Sequence, residues 1–129
     1  MATAAGTPEE KLILVVEDST DLARILTKLL ELEGYQVLSA ANGKEALDVL
    51  GHAKKLPNLI LLDIMMPVMN GFEFREAQLK DHKIKDIPVV VMTAHQDVKK
   101  AQAQLGTLGS IKKPPEIDEI LSVVKAHAK

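Results

Sequence analysis

The sequence predicts an α/β protein: a doubly wound, five-stranded parallel sheet with five helices on its two faces. Three observations lead there. Short apolar, β-branched-rich runs alternate with segments of helical periodicity from Lys11 to His127, the pattern of repeated strand–helix–strand units. Runs such as Leu59-Ile60-Leu61-Leu62 are apolar on both faces, as strands inside a parallel sheet are. Polar residues stand at the ends of these runs where the pattern does not require them, and open α/β sheets carry their chemistry at that edge.

Taken in order, Lys11 to Val16 forms the first strand, and Glu17-Asp18-Ser19-Thr20 breaks it. Ser19 or Thr20 supplies an N-cap. Leu22, Ile25, Leu26 and Leu29 then repeat at helical spacing until Gly34 closes the helix. Gln36 to Ala40 is the second strand. Asn42 caps a second helix carrying Ala46, Leu47 and Leu50, which ends between Gly51 and Pro57. The third strand is Leu59 to Asp63; Pro67 and Gly71 stop it, and a helix runs from about Phe72 to Lys80. Ile87 to Thr93 is the fourth strand, Asp97 to Leu105 a polar helix closed by Gly106, Ser110 to Lys112 a brief fifth strand, and Glu116 to His127 a final amphipathic helix. No repeat or linker interrupts the series, so one domain over residues 10–129 is expected, after a disordered lead at 1–9.

Composition narrows the function. The 129 residues suffice for a core without staples. Sixteen Lys and Arg stand against 18 Asp and Glu, so no basic excess points to nucleic acid. The aromatics are Tyr35, Phe72 and Phe74 alone, too few for a base-stacking surface. Absence of Cys rules out disulfides and thiolate metal sites and fits a reducing cytosol. No apolar run approaches the roughly 20 residues of a membrane span, and residues 1–10 lack the charged and apolar regions of a signal peptide. A cytoplasmic monomer, without membrane insertion or direct nucleic-acid contact, is expected.

The chemistry should sit where strand ends meet. Strand one ends at Glu17-Asp18, strand three at Asp63, strand four at Thr93, and strand five runs into Lys112-Lys113-Pro114. A parallel sheet brings all these ends to one edge. Three carboxylates gathered there repel one another, by about 3 kcal/mol per pair at ~5 Å and an effective dielectric of ~20. They call for a cation, either a lysine or a divalent metal, and an all-oxygen set suits Mg²⁺, Mn²⁺ or Ca²⁺. Taken singly, each residue has a plainer reading: Glu17-Asp18 as helix N-terminal charges, Thr93 as a strand-end hydroxyl, Lys113 as a solvated cation. Their joint order argues otherwise.

Four segments carry a resemblance: Val15-Val16-Glu17-Asp18-Ser19, Asp63 through Gly71, Pro88 through Ala94, and Gly106 through Pro114. The chain resembles the receiver domain of two-component response regulators, the single-domain chemotaxis type, over roughly residues 10–127. The resemblance implies a flavodoxin-like sheet of order 2-1-3-4-5. It implies Asp63 as phosphoryl acceptor, Asp18 and Asp63 as direct Mg²⁺ ligands (Mn²⁺ would serve the same oxygens), Glu17 as a ligand through water, and the Met65 carbonyl as a further one. Thr93 and Lys113 would contact phosphoryl oxygens, with Lys113-Pro114 in the cis form, and small Ala94 would leave room for the group. Lys112, one residue earlier on the strand, should point to the other face. The implied donor is a sensor histidine kinase or a histidine phosphotransfer protein. Output would pass by protein binding or onward phosphotransfer, since no output domain follows the last helix within the chain. Apart from its own phosphorylation and hydrolysis, no enzymatic activity is expected.

Two positions depart from the family pattern. Ser110 stands where an aromatic ring often moves inward on phosphorylation, so a weaker or different switch is expected. Pro115 should stiffen the entry to the last helix just before its N-cap. Met65 and His95 would flank the water path to an acyl phosphate and tune its lifetime. His52, His82 and His127 have no ligand spacing, and the methionines near Asp63 read as gap-filling. Three rivals are weaker. An aspartyl phosphohydrolase usually has a second Asp two residues after the nucleophile, where this chain has Met65. A nucleotide or flavin module needs a glycine-rich turn after strand one, where this chain has Glu17-Asp18-Ser19-Thr20. A receiver-fold interaction module without phosphorylation would have no need of every filled chemical position.

Overall fold

The computed structural model describes residues 11–94, 103, 105–107 and 109–128. Its elements are β1 (Leu12–Val16), α1 (Thr20–Leu32), β2 (Gln36–Ala40), α2 (Gly43–His52), β3 (Leu59–Asp63), α3 (Gly71–Leu79), β4 (Val89–Thr93), β5 (Gly109–Lys112) and, as α4 here, Ile117–His127. The strands form one sheet in the order β2-β1-β3-β4-β5, every pair parallel, as expected. No described helix is long and apolar enough to cross a membrane.

The alternation of side chains along each strand explains the layering. Ile13, Val15, Leu59, Leu61, Val90 and Met92 face one side and pack on Leu26 and Leu30 of α1 and on Ile120 and Val124 of α4. Leu14, Val16, Ile60, Leu62 and Val89 face the other, against Ala46 and Leu50 of α2 and Phe74 of α3. β1, β3 and β4 are buried at every position. That two-sided burial is why their sequences are continuous apolar runs rather than alternating ones.

The caps follow the sequence closely. The Ser19 side chain accepts from the Leu22 N–H at α1, and Asn42 does the same for Glu45 at α2. α3 begins at Gly71, a residue earlier than expected, because Asn70 and Glu73 form a reciprocal capping box. β4 begins at Val89 rather than Ile87, since Pro88 has no N–H to give the ladder. Pro115 precedes the Glu116 N-cap of α4. Four helices are complete among the described residues. The expected polar helix at 97–105 falls mostly outside them, although Ala103 and Leu105 are helical. The lead at 1–9 also lies outside the described residues.

Away from the strand ends, a buried polar side chain on α3 ties elements together. Gln78 of α3 is fully buried, and its Nε2 donates to the carbonyls of Ile84 at 2.9 Å and Ile87 at 3.0 Å. Its Oε1 accepts from Arg75 NH1 at 2.7 Å. Arg75 also donates from Nε to the Leu105 carbonyl and from NH2 to that of Gly106, both at 3.0 Å. Burial holds the Arg75 guanidinium below its ordinary pKa. A side-chain pair one helical turn apart thus fastens α3 both to the turn before β4 and to the segment before β5.

Candidate functional site

Register alone brings the strand ends together. Val16 lies opposite Ala40 and Leu62, Asp63 opposite Met92, and Thr93 opposite Lys112. The residues just past β1, at the end of β3 and just past β5 therefore meet at one edge. Glu17 and Asp63 are each 2 % exposed, whereas Asp18 is open to solvent. Each of the three offers a carboxylate oxygen within 4.8 Å of the others.

The counter-charge is Lys113. Its Nζ lies 2.6 Å from Glu17 Oε1 and 3.1 Å from Asp63 Oδ2, while Lys112 is exposed, as strand parity predicts. The Lys113 N–H donates to the Thr93 carbonyl at 3.0 Å, which ties the two strand ends. The bond to Pro114 is cis. Thr93 is fully buried at the end of β4, and Ala94 beside it is exposed. Ser110 is half-buried on β5, opposite Val91. His95 lies outside the described residues.

Electrostatics follow from this crowding. Burial first, then the negative charge of Glu17, push the Asp63 carboxyl up to about 7; Lys113 opposes the rise and a hydrogen bond with Asp18 adds to it. Burial would also raise Asp18, but hydrogen bonding with Asp63 and Glu17 outweighs it and holds Asp18 below the ordinary range. For Lys113, burial acts downward, and close contact with Glu17 and Asp63 overrides it, keeping the ammonium charged. Glu17 Oε2 accepts from the Ser19 N–H at 2.9 Å. Its buried Oε1 has the Lys113 ion pair but no aligned hydrogen bond among the described residues.

The β3–α3 loop closes the site. Met65 is 65 % exposed two residues past Asp63. The Met69 N–H donates to the Pro67 carbonyl at 2.7 Å across Val68, whose φ is 69°. That is a tight three-residue turn in a conformation a β-branched residue seldom adopts. Gly71 returns the chain to the strand end: its N–H donates to the Ile64 carbonyl at 2.8 Å. A Cβ there would lie 2.7 Å from both the Asp63 carbonyl and Ile64 Cα, so only glycine fits.

The sequence had pointed to the acidic residues, Thr93 and Lys113, and the structure gathers them. It had not pointed to the turn at Val68, which carries no Gly or Asn to mark a positive φ. Nor had it pointed to Gln78, whose signal was a polar residue in phase with buried Gly71 and Phe74.

Comparison with known proteins agrees with this geometry. Residues 13–125 match the response regulator receiver domain family. The chain is 40 % identical over 119 residues to sporulation initiation phosphotransferase F of Bacillus subtilis, covering 89 % of this chain and 91 % of that protein. It is 38 % identical over 117 residues to the transcriptional regulatory protein CpxR homolog of Haemophilus influenzae, covering 88 % of this chain but only 48 % of the relative. Among solved structures, the response regulator TrrA of Thermotoga maritima, in complex with Mg²⁺ and BeF, superposes with a TM-score of 0.78 at 31 % identity, covering 90 % of this chain and 97 % of that one. An acidic cluster at the carboxyl edge of a 2-1-3-4-5 sheet, and a family match over almost the whole chain, lead to one conclusion: this protein belongs to the response regulator receiver domain family.

Proposed function

We propose that Asp63 accepts the phosphoryl group, and that Glu17, Asp18, Met65, Thr93 and Lys113 serve it. The observation that carries this is Lys113 Nζ reaching both Glu17 and Asp63 inside a cluster of three carboxylates. An Asp63 carboxylate oxygen attacks the phosphorus of a phosphohistidine; the P–N bond breaks, the imidazole leaves with the electron pair, and an acyl phosphate forms. Lys113 turns from the carboxylates to a phosphoryl oxygen, and the Thr93 hydroxyl donates to another, so charge that builds up meets fixed partners.

The donor set fits a hard divalent ion. It is all oxygen, it lies within 4.8 Å, and two of its three carboxylates, Glu17 and Asp63, are buried with the one ammonium of Lys113 between them. Asp18 and Asp63 would hold Mg²⁺ or Mn²⁺ directly, Glu17 through water, and the Met65 carbonyl would add a fourth group. Bound there, the ion supplies charge neutralisation for the phosphoryl oxygens.

The phosphoryl source is a histidine kinase or a histidine phosphotransfer protein. The near-full-length likeness to a phosphotransferase supports onward phosphotransfer as one output, beside protein binding. Met65 and His95 tune the lifetime of the acyl phosphate, Ala94 leaves space for it, and Ser110, lacking a ring, makes the response on β5 small. Phosphorylation adds about 1.5 to 2 negative charges, and the loops after β3 and β4 respond by population shift. Incubation with acetyl phosphate and Mg²⁺ will give a phosphoryl adduct by intact mass, and Asp63→Asn will abolish it. An adduct that survives Asp63→Asn overturns the assignment. Absence of any adduct from a protein that binds Mg²⁺ would favour an interaction module.

A further inference from the structure

We propose that Gly43, the first residue of α2, is a positioning residue for the metal site: it clamps the β3–α3 loop in the strained form that presents Met65. The inference rests on the reading of the Met65 carbonyl as a ligand.

The contact is a single backbone hydrogen bond between distant elements. The Gly43 N–H donates to the Met69 carbonyl at 2.9 Å. Asn42 caps α2 by accepting from the Glu45 N–H at 2.9 Å, which leaves the Gly43 amide to bond outside its own helix. The positive end of the helix dipole strengthens its hold on a carbonyl oxygen. Only glycine permits the approach. A Cβ at this position would stand 2.7 Å from Met69 Cγ, 2.9 Å from Met69 Sδ and 2.9 Å from the Met69 carbonyl oxygen. The side chain of Met69 can turn away, but the carbonyl moves only if the loop moves.

The loop needs such a clamp. Val68 has a φ of 69°, and the residue is 75 % exposed, so no burial holds it in this conformation. A turn of this kind persists only where its surroundings over-determine it. Within the loop, the Pro67 carbonyl receives the Met69 N–H. Past it, Asn70 is fixed by its capping box with Glu73. Gly43 supplies the hold on Met69 from outside. Released from it, Val68 relaxes toward negative φ and the chain from Met65 to Met69 shifts with it.

The test compares Mg²⁺ affinity, by calorimetric titration at fixed pH, for the full chain and for Gly43→Ala alone and combined with Val68→Gly. Amide exchange at Met69 is followed in each. Gly43→Ala is expected to weaken Mg²⁺ binding by roughly tenfold, the size of effect seen when a group supporting a ligand is lost, and to speed exchange at Met69. Glycine at 68 holds positive φ without strain, so the turn takes up the displacement of the Met69 carbonyl that the added Cβ at position 43 still forces. Met65 then keeps its place, and the double variant recovers most of the affinity. Recovery is the outcome that a merely structural role for Gly43 would not give. Gly43→Ala binding as tightly as the unaltered chain, or a double variant no better than Gly43→Ala, overturns the proposal. Should Gly43→Ala fail to fold, a double variant that folds and binds supports the clamp, and one that also fails to fold overturns it. If the unaltered chain binds no Mg²⁺, the reading of the metal site falls, and exchange at Met69 in Gly43→Ala still decides whether the clamp exists.

Discussion

Lowering the pH from 8 to 6 should weaken Mg²⁺ binding through Asp63. In the metal-free protein its carboxyl titrates near 7, because burial and the adjacent Glu17 charge outweigh the help from Lys113. In the proposed site, where Asp63 is a direct ligand, a proton and the metal compete for the same oxygens. With a midpoint at about 7, roughly nine-tenths of Asp63 is protonated at pH 6 and one-tenth at pH 8. Affinity at pH 6 is then about tenfold lower, ~1.4 kcal/mol. Binding should release about one proton per ion at pH 6 and almost none at pH 8. Titration calorimetry in buffers of differing ionisation enthalpy measures both quantities together. Asp63→Asn removes the proton release at either pH. Equal affinities at pH 6 and 8 without proton release would refute the reasoning, since Asp63 would then be ionised throughout or would lie outside the ion's ligand set.

Two further predictions concern stability. Val68→Asn, placing a residue that tolerates positive φ at an exposed turn, is expected to raise unfolding stability by about 1 kcal/mol, read as a higher urea midpoint; a lower midpoint would show that the turn is not strained. Gln78→Ala leaves the Ile84 and Ile87 carbonyls without their donor and Arg75 NH1 without its Gln78 acceptor. It should cost about 3 kcal/mol, and a loss below ~1 kcal/mol would mean that water replaces the amide freely.

The parts of this fold that could be read in the sequence are those where burial makes a residue conspicuous. Asp63 stands out because four apolar residues precede it in a strand buried on both faces. Lys113 could be told from Lys112 because strand parity sends neighbours to opposite sides. The Ser19-Thr20 pair and Asn42 announced their helices because short oxygen-bearing side chains are what free N–H groups require, and the structure selects Ser19 of the pair. What stayed hidden depends on contact between elements. Gln78 shows its polarity in sequence but not the two carbonyls it serves. Nothing in Val68 forecasts its φ, because the loop around it imposes that angle. Gly43 looks like any glycine near a cap until Met69 is seen against it.

The Arg75–Gln78 pair has a bearing on how this domain can be re-engineered. The connection from Lys80 to Pro88 looks like an ordinary surface loop, with Asp81, His82, Lys83, Lys85 and Asp86 exposed, the sort of place chosen for splicing in a reporter or for new chain termini. Yet Gln78 grips that stretch at both Ile84 and Ile87, so its length is dictated from inside the helix. An added residue there would pull one carbonyl off the amide and disturb, through Arg75, the approach to β5. Graft tolerance in this chain is thus set by which carbonyls a buried amide holds, and surface exposure alone is a poor guide to it.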